Sequence, residues 1–247
     1  METGKLHNKF ECCFKDWITQ QHEDLEELLQ AMASNPDNDN LQVLAHKGLK
    51  HFEEYCDNQP RLAQHDAQSF LCPSWCTSFE NAFLWIGGCR PSLSIRLVHS
   101  LCGSEFAVDQ LTTTFQVKRK GNLADISSNQ LNLINSLHCK TIKEEEKLSD
   151  KMASLQEEIA DGPLAMIATK ASQVGESSQD LDEVLQGHSL SLKHILVDAD
   201  KLRLSTFKEL MNILTPLQTA DLLIATKKLH LSMHEWCKRR EEQLGRN

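Results

Sequence analysis

The segment Lys227–Trp236, KKLHLSMHEW, sets His230 and His234 four residues apart. On a helix that spacing puts both imidazoles on one face, with Cβ atoms about 5–6 Å apart. Imidazole titrates near neutrality and is the commonest metal ligand. The pair therefore supports two readings: polar side chains on a half-exposed face, or ligands of a metal or haem. A zinc-protease motif is excluded, because the histidine that should follow Glu235 by three residues is Lys238. The chain also lacks a GxSxG elbow, a phosphate-binding loop and a glycine-rich dinucleotide turn. It reads as non-enzymatic.

Charge narrows the partners. Across 247 residues, 35 acidic against 26 basic side chains leave a net charge of −9, which opposes a phosphate backbone. Direct DNA binding is not expected, and the short basic run Lys118, Arg119 and Lys120 reads as solvated surface in a connector spanning 104–126. No apolar run approaches the roughly 18 residues of a membrane span, and METGKLHNKF lacks the apolar core of a secretory signal. The chain is expected inside the cell. Its nine cysteines contain no CxxC pair, so they read as free thiols rather than a zinc or redox site. Cys72-Pro73 reads as a turn.

The elements that must position the histidines are helical. Phe10, Phe14, Trp17, Ile18, Leu25, Leu28, Leu29 and Met32 recur at spacings of three and four, the mark of an amphipathic helix. Leu41, Leu44, Ala45, Leu49, Phe52 and Tyr55 make the stripe of a second helix. Three capping boxes mark later helix starts: Thr77 with Glu80, Ser127 with Gln130, and Thr215 with Gln218 behind Pro216. Gly87-Gly88 is expected to close the helix that Thr77 opens. The Glu144-Glu145-Glu146 run is expected on an exposed face of the helix after Ser127. Its apolar positions run from Leu131 to Ile159. No segment alternates as a strand. The expectation is an all-α bundle of long antiparallel helices, one domain over 10–237, with tails at 1–9 and 238–247 and a fold resting mainly on the later helices.

Three blocks in order resemble the Delay of Germination family of plant seed-dormancy regulators, whose domain also occurs behind the basic leucine zipper of the TGA transcription factors. They are Phe83-Leu84-Trp85-Ile86-Gly87-Gly88-Cys89-Arg90-Pro91-Ser92 with Arg96-Leu97-Val98; His138 to Leu155 with its acidic run; and Asp200-Lys201-Leu202-Arg203 through Thr215-Pro216 to KKLHLSMHEW. No basic region or zipper precedes residue 10, so the chain is similar to the stand-alone dormancy branch.

The resemblance implies a regulator in abscisic-acid and seed-maturation signalling that binds clade A type 2C protein phosphatases. It implies haem as a ligand, at positions matching His230 and His234. The family's phosphatase-contact motif, Asp-Ser-Tyr-Leu-Glu-Trp, aligns with Cys12 to Trp17, which keeps Phe14, Asp16 and Trp17 but not the first acid. A nuclear and cytoplasmic location, and association with zipper transcription factors as the alternative mode of action, follow from the same kinship. Two trans ligands of one iron cannot both stand four apart on one regular helix, so one histidine is expected to be axial and the other to support it. Met233 and Trp236 read either as apolar cover for that site or as ordinary core.

Overall fold

The computed structural model describes residues 2–34, 37–62, 67–103, 122–170 and 179–245. Its long helices are α1 (Glu2–Ala33), α2 (Asn38–Leu62), α6 (Ser128–Glu157), α8 (Gln179–Ile213) and α9 (Pro216–Gln243). Shorter pieces are α3 (Gln68–Leu71), α4 (Ser78–Phe83), α5 (Ser92–Gly103), a 3₁₀ turn (Leu123–Asp125) and α7 (Gly162–Lys170). The fold is all-α; among the described residues the only β contact is the isolated bridge from Trp85 to Gly88. The basic run at 118–120 lies outside the described residues. Helix α1 already begins at Glu2, and α9 continues to Gln243, so helix extends through most of both expected tails.

Side-chain pairs fix the directions. Along α6 and α8, Thr141 meets Thr206, Lys151 meets Asp198 and Glu158 meets His188, which is an antiparallel register. Glu27 with Lys47 and Asp24 with His51 do the same for α1 and α2. Helix α9 runs antiparallel to α1, Asp24 meeting Lys227 and Phe14 meeting His234. The three capping boxes form with both reciprocal bonds. Two of them interlock. Gln130 donates from Nε2 to Gln218 Oε1 at 2.8 Å and to the Ile213 carbonyl at 3.0 Å, tying the starts of α6 and α9 to the end of α8.

Several expectations are corrected by burial. Glu145 is not on an exposed face: it is 1% accessible. It accepts from the Ser92 amide at 2.6 Å, the Ser92 hydroxyl at 3.1 Å and Arg90 Nε at 3.1 Å. The carboxylate satisfies the free N–H at the start of α5, where helix N-termini attract negative charge. Helix periodicity permits this, since Glu145 lies on the stripe of Thr141 and Leu148 while Glu144 and Glu146 do not. Leu131 and Ile159, expected inside, are 40% and 63% exposed. Helix α1 is not peripheral: Phe10, Leu28 and Met32 are core residues.

Gly87-Gly88 does not cap α4, which ends at Phe83. Instead the chain reverses in a tight turn. Trp85 and Gly88 exchange backbone bonds of 2.7 and 3.2 Å, with positive φ at Ile86 (45°) and Gly87 (72°). Arg203 of α8 fills the turn's underside. Its guanidinium donates to the carbonyls of Cys89 (2.7 Å), Trp85 (2.5 Å) and Ile86 (2.8 Å), and to Asp200 Oδ1 (2.6 Å). A Cβ on Gly88 would stand 2.9 Å from Arg203 Cζ, and one on Gly87 2.8 Å from Leu196 Cδ2. Close approach therefore requires glycine at both positions, and at Gly87 the left-handed φ requires it as well.

Replacing Arg203 by Lys keeps the charge but loses the planar fork, leaving buried carbonyls without donors. The expected cost is about 2–4 kcal/mol, read as a lowered denaturation midpoint at unchanged m-value. Gly88→Ala should destabilise through the same turn, and the two changes together should cost less than their sum, since both act on one contact.

Candidate functional site

The two regions singled out by chemistry, the N-terminal motif and the histidine pair, meet in space. Thr77 caps α4, and the second arm of its capping box, Glu80, reaches α9: Glu80 Oε1 lies 2.7 Å from His234 Nδ1, while Oε2 accepts the Thr77 amide at 2.8 Å. A second bond fastens α4 to α9, from the Ser78 amide to Glu241 Oε1 at 2.6 Å. Phe14 of α1 presents its ring edge-on to His234, with centroids 5.6 Å apart. His234 is thereby buried to 7% exposure between α1 and α4.

This geometry settles the protonation pattern. A carboxylate only accepts, so His234 donates from Nδ1 to Glu80 and, when neutral, keeps its lone pair on Nε2. Burial would push Glu80 up, but the bonds from His234 and Thr77 outweigh it and hold the carboxyl below its usual range. His230, one turn earlier, is driven down to about 4 by burial of its ring, then by the His234 ring, with Glu80 pulling upward and Lys227 adding to the fall. At neutral pH it is an uncharged imidazole.

As a donor set the pair fits the iron ligation expected for haem. His234 has the carboxylate-held Nδ1 of an oriented ligand, and His230 is neutral. Its packing is closed, since Phe14 covers the His234 ring. Met233 and Trp236, read as cover or core, are 36% and 45% exposed and so belong to no core. Trp236 packs on Phe79 of α4 at 5.0 Å and under the Arg240 guanidinium at 5.5 Å.

Asp16 and Trp17 face another way. Trp17 is half-buried, stacked on Tyr55 of α2 at 4.6 Å with planes 16° apart, and 5.9 Å from Phe52. Exposed Asp16 and half-buried Trp17 line an open groove of about 620 Å³ between α1 and α2, with Cys12, Cys13, His51 and Tyr55. His230 and His234 do not line it. Phe14 is half-buried against His234, so the three motif residues divide between the histidine site and the groove.

Sequence reasoning missed the polar clasp beneath that groove. Lys227, 3% exposed, donates to Asp24 Oδ2 at 2.9 Å and Gln21 Oε1 at 2.8 Å, and His51 Nδ1 lies 2.9 Å from Asp24 Oδ1. Burial pulls the Lys227 ammonium down, and Asp24 pulls it back up. Its only sequence signal was periodicity: Lys227, Leu231 and His234 share the inward stripe of α9. Glu80 was legible as a cap, but nothing local announces a partner 154 positions away.

The family model described as seed dormancy control, DOG1, matches residues 24–100. The chain is 35% identical to protein DOG1-like 3 of Arabidopsis thaliana over 239 residues, covering 94% of this chain and 84% of that protein. It is 25% identical to Arabidopsis protein RESPONSE TO ABA AND SALT 1 over 229 residues, 89% of this chain and 90% of that protein. Arabidopsis transcription factor TGA2 aligns at 26% identity with 85% of this chain and 57% of its own length.

The depressed His230 predicts acid sensitivity. Between pH 6.5, its ordinary value, and about 4, the unfolded chain binds a proton that the folded chain refuses, so stability falls as pH falls. The window is worth on the order of 3 kcal/mol. Glu80, held low, adds a loss of the same sign further into acid. Urea melts at pH 7, 5.5 and 4 should show His230→Gln with a shallower decline than the parent; equal declines would remove His230 from the account.

Proposed function

The chain belongs to the DOG1, seed dormancy control, family, and on that premise we propose that it is a non-enzymatic regulator in abscisic-acid signalling that binds clade A type 2C protein phosphatases. The observation that carries this reading is the α1–α2 groove. It presents an acid, Asp16, and a large aromatic, Trp17, at the surface of a helix whose other face is anchored in the core. Aromatic anchors supported from behind are where binding energy concentrates, and Tyr55 supplies that support to Trp17. A second reading, action through zipper transcription factors in the nucleus as well as the cytoplasm, is favoured by the alignment with TGA2 across most of this chain. Among the described residues no helix is long and apolar enough to cross a membrane.

Trp17→Ala should weaken binding to a purified type 2C phosphatase about tenfold or more. Because the ring is half-buried, the accompanying loss of stability should stay near 1–2 kcal/mol, below the roughly 3–5 kcal/mol of a fully buried aromatic. Calorimetric titration with parent and variant, alongside melts of each, reads both quantities. A phosphatase that binds both equally counts against the groove, and recovery of zipper proteins without phosphatase from a pull-down favours the second reading.

We also propose that haem, which would supply a Lewis-acidic, redox-active iron, would be held through His234, with Glu80 orienting that ring and His230 in support. Ferric-haem titrations followed at the Soret band should then lose the band with His234→Ala. His230→Ala should weaken binding about tenfold to a hundredfold. Phe14→Ala, which uncovers the His234 ring, should speed uptake. Equal spectra in parent and His234→Ala would remove the ligand assignment.

A further inference from the structure

Two histidines outside KKLHLSMHEW carry chemistry that neither proposed site uses. His99 of α5 and His138 of α6 face each other across the contact between those helices, ring centroids 5.7 Å apart and planes inclined by 76°. In each ring the Nε2 atom is buried, and neither Nε2 has a hydrogen-bond partner. Their sequence neighbours Val98 and Leu137 belong to one buried apolar cluster with Ile95 and Ile134.

A buried polar atom left unpaired costs roughly 1–3 kcal/mol, and folded proteins place water or an ion where such atoms persist. Here two such atoms belong to neighbouring rings, whose neutral form offers a nitrogen lone pair. A direct imidazole–imidazole hydrogen bond would satisfy both atoms at once, and it is not formed.

We propose that His99 and His138 together bind one imidazole-preferring transition-metal ion, zinc or cuprous copper, between their Nε2 atoms. The spacing fits. With a metal about 2.0–2.1 Å from each nitrogen, the centroids of two ligating rings stand about 5.2–6.4 Å apart as the angle at the metal opens from tetrahedral to linear. The observed 5.7 Å falls inside that range. Among the described residues no third His, Cys, Asp or Glu completes the set. The 5.7 Å separation corresponds to an angle of about 125° at the metal, which suits zinc with water in its remaining positions, whereas a cuprous ion held by these two nitrogens alone requires the rings to open toward the linear limit. Both residues are only partly buried, which leaves an approach from the surface. Bound there, the ion crosslinks α5 to α6 at the end of α5 remote from the Glu145–Ser92 contact.

The experiment is metal binding by the full-length chain, by equilibrium dialysis against zinc and, anaerobically, by competition with a chromogenic cuprous chelator. Parent, His99→Gln, His138→Gln and the exposed control His22→Gln are compared. The parent and His22→Gln should hold one equivalent that either of the other variants binds about a hundredfold or more weakly. That ion should raise the melting temperature of the parent and not of the two variants. The arm in which the equivalent appears names the ion. Should either variant fail to fold, carbethoxylation of the parent decides: bound metal must protect His99 and His138, and unchanged modification overturns the site. Equal stoichiometry and affinity in all four proteins, or no metal retained by the parent in either arm, also overturns it and assigns the space between the rings to water.

Discussion

One guanidinium organises the centre of this molecule. Arg203 gives three of its hydrogen bonds to backbone carbonyls of a reversing turn and a fourth to Asp200 on its own helix. Such a turn cannot satisfy its carbonyls internally, because three of them point inward at one place. The planar fork meets them together, which a point charge could not do. It also dictates sequence: glycine at 88 because the guanidinium lies where a Cβ would be, and glycine at 87 because of a left-handed φ against Leu196. The turn in turn aims Arg90 and Ser92 at Glu145, so α8 and α6 grip the same eight residues, 85–92, from two sides. The charges are costly to bury. Burial pushes the Asp200 carboxyl up, with the Arg203 charge pulling it back. Such networks fix one geometry more than they add net stability.

A second buried ion pair performs the corresponding task for the N-terminal helix. Lys227 enters from α9 and meets Asp24 and Gln21 of α1, while His51 of α2 meets the same aspartate. Three helices thus converge on one carboxylate. Surface pairs such as Lys15 with Glu11 contribute little by comparison, being solvated and mobile. Trp17 lies two turns from Asp24 on this pinned helix, and Phe14 about one turn further on. The clasp therefore fixes the rotation of α1 that sends Trp17 to the groove and Phe14 to His234.

Local physics was legible in the sequence and long-range pairing was not. Each capping box was readable because its two partners stand three residues apart, and each forms as read. The fold class followed from periodicity. The failures share one cause. Gly87-Gly88 looks like a helix stop when only neighbours are considered; that it instead forms a turn around an arginine 115 positions away has no local signature. Glu145 inside an acidic run looks solvated, although its place on the Thr141–Leu148 stripe was a signal that periodicity offered. Leu131 and Ile159 misled in the opposite direction, since an apolar residue near a helix end has no neighbour obliged to cover it.

The decapeptide shows how one helix carries several assignments at once. Lys227, Leu231 and His234 stand at spacings of four and three and point inward; Leu229, Met233 and Trp236 have the same spacings and point outward. Lys227 touches α1 and His234 touches α1 and α4, so His234 is not an isolated ligand but a place where three helices are joined. Phe14 and Trp17 are three residues apart on α1, one against His234 and the other in the groove. Should haem at His234 require Phe14 to withdraw, it draws on the same helix that a partner at Trp17 grips. The two occupancies are then thermodynamically linked, each altering the other's affinity by the same factor.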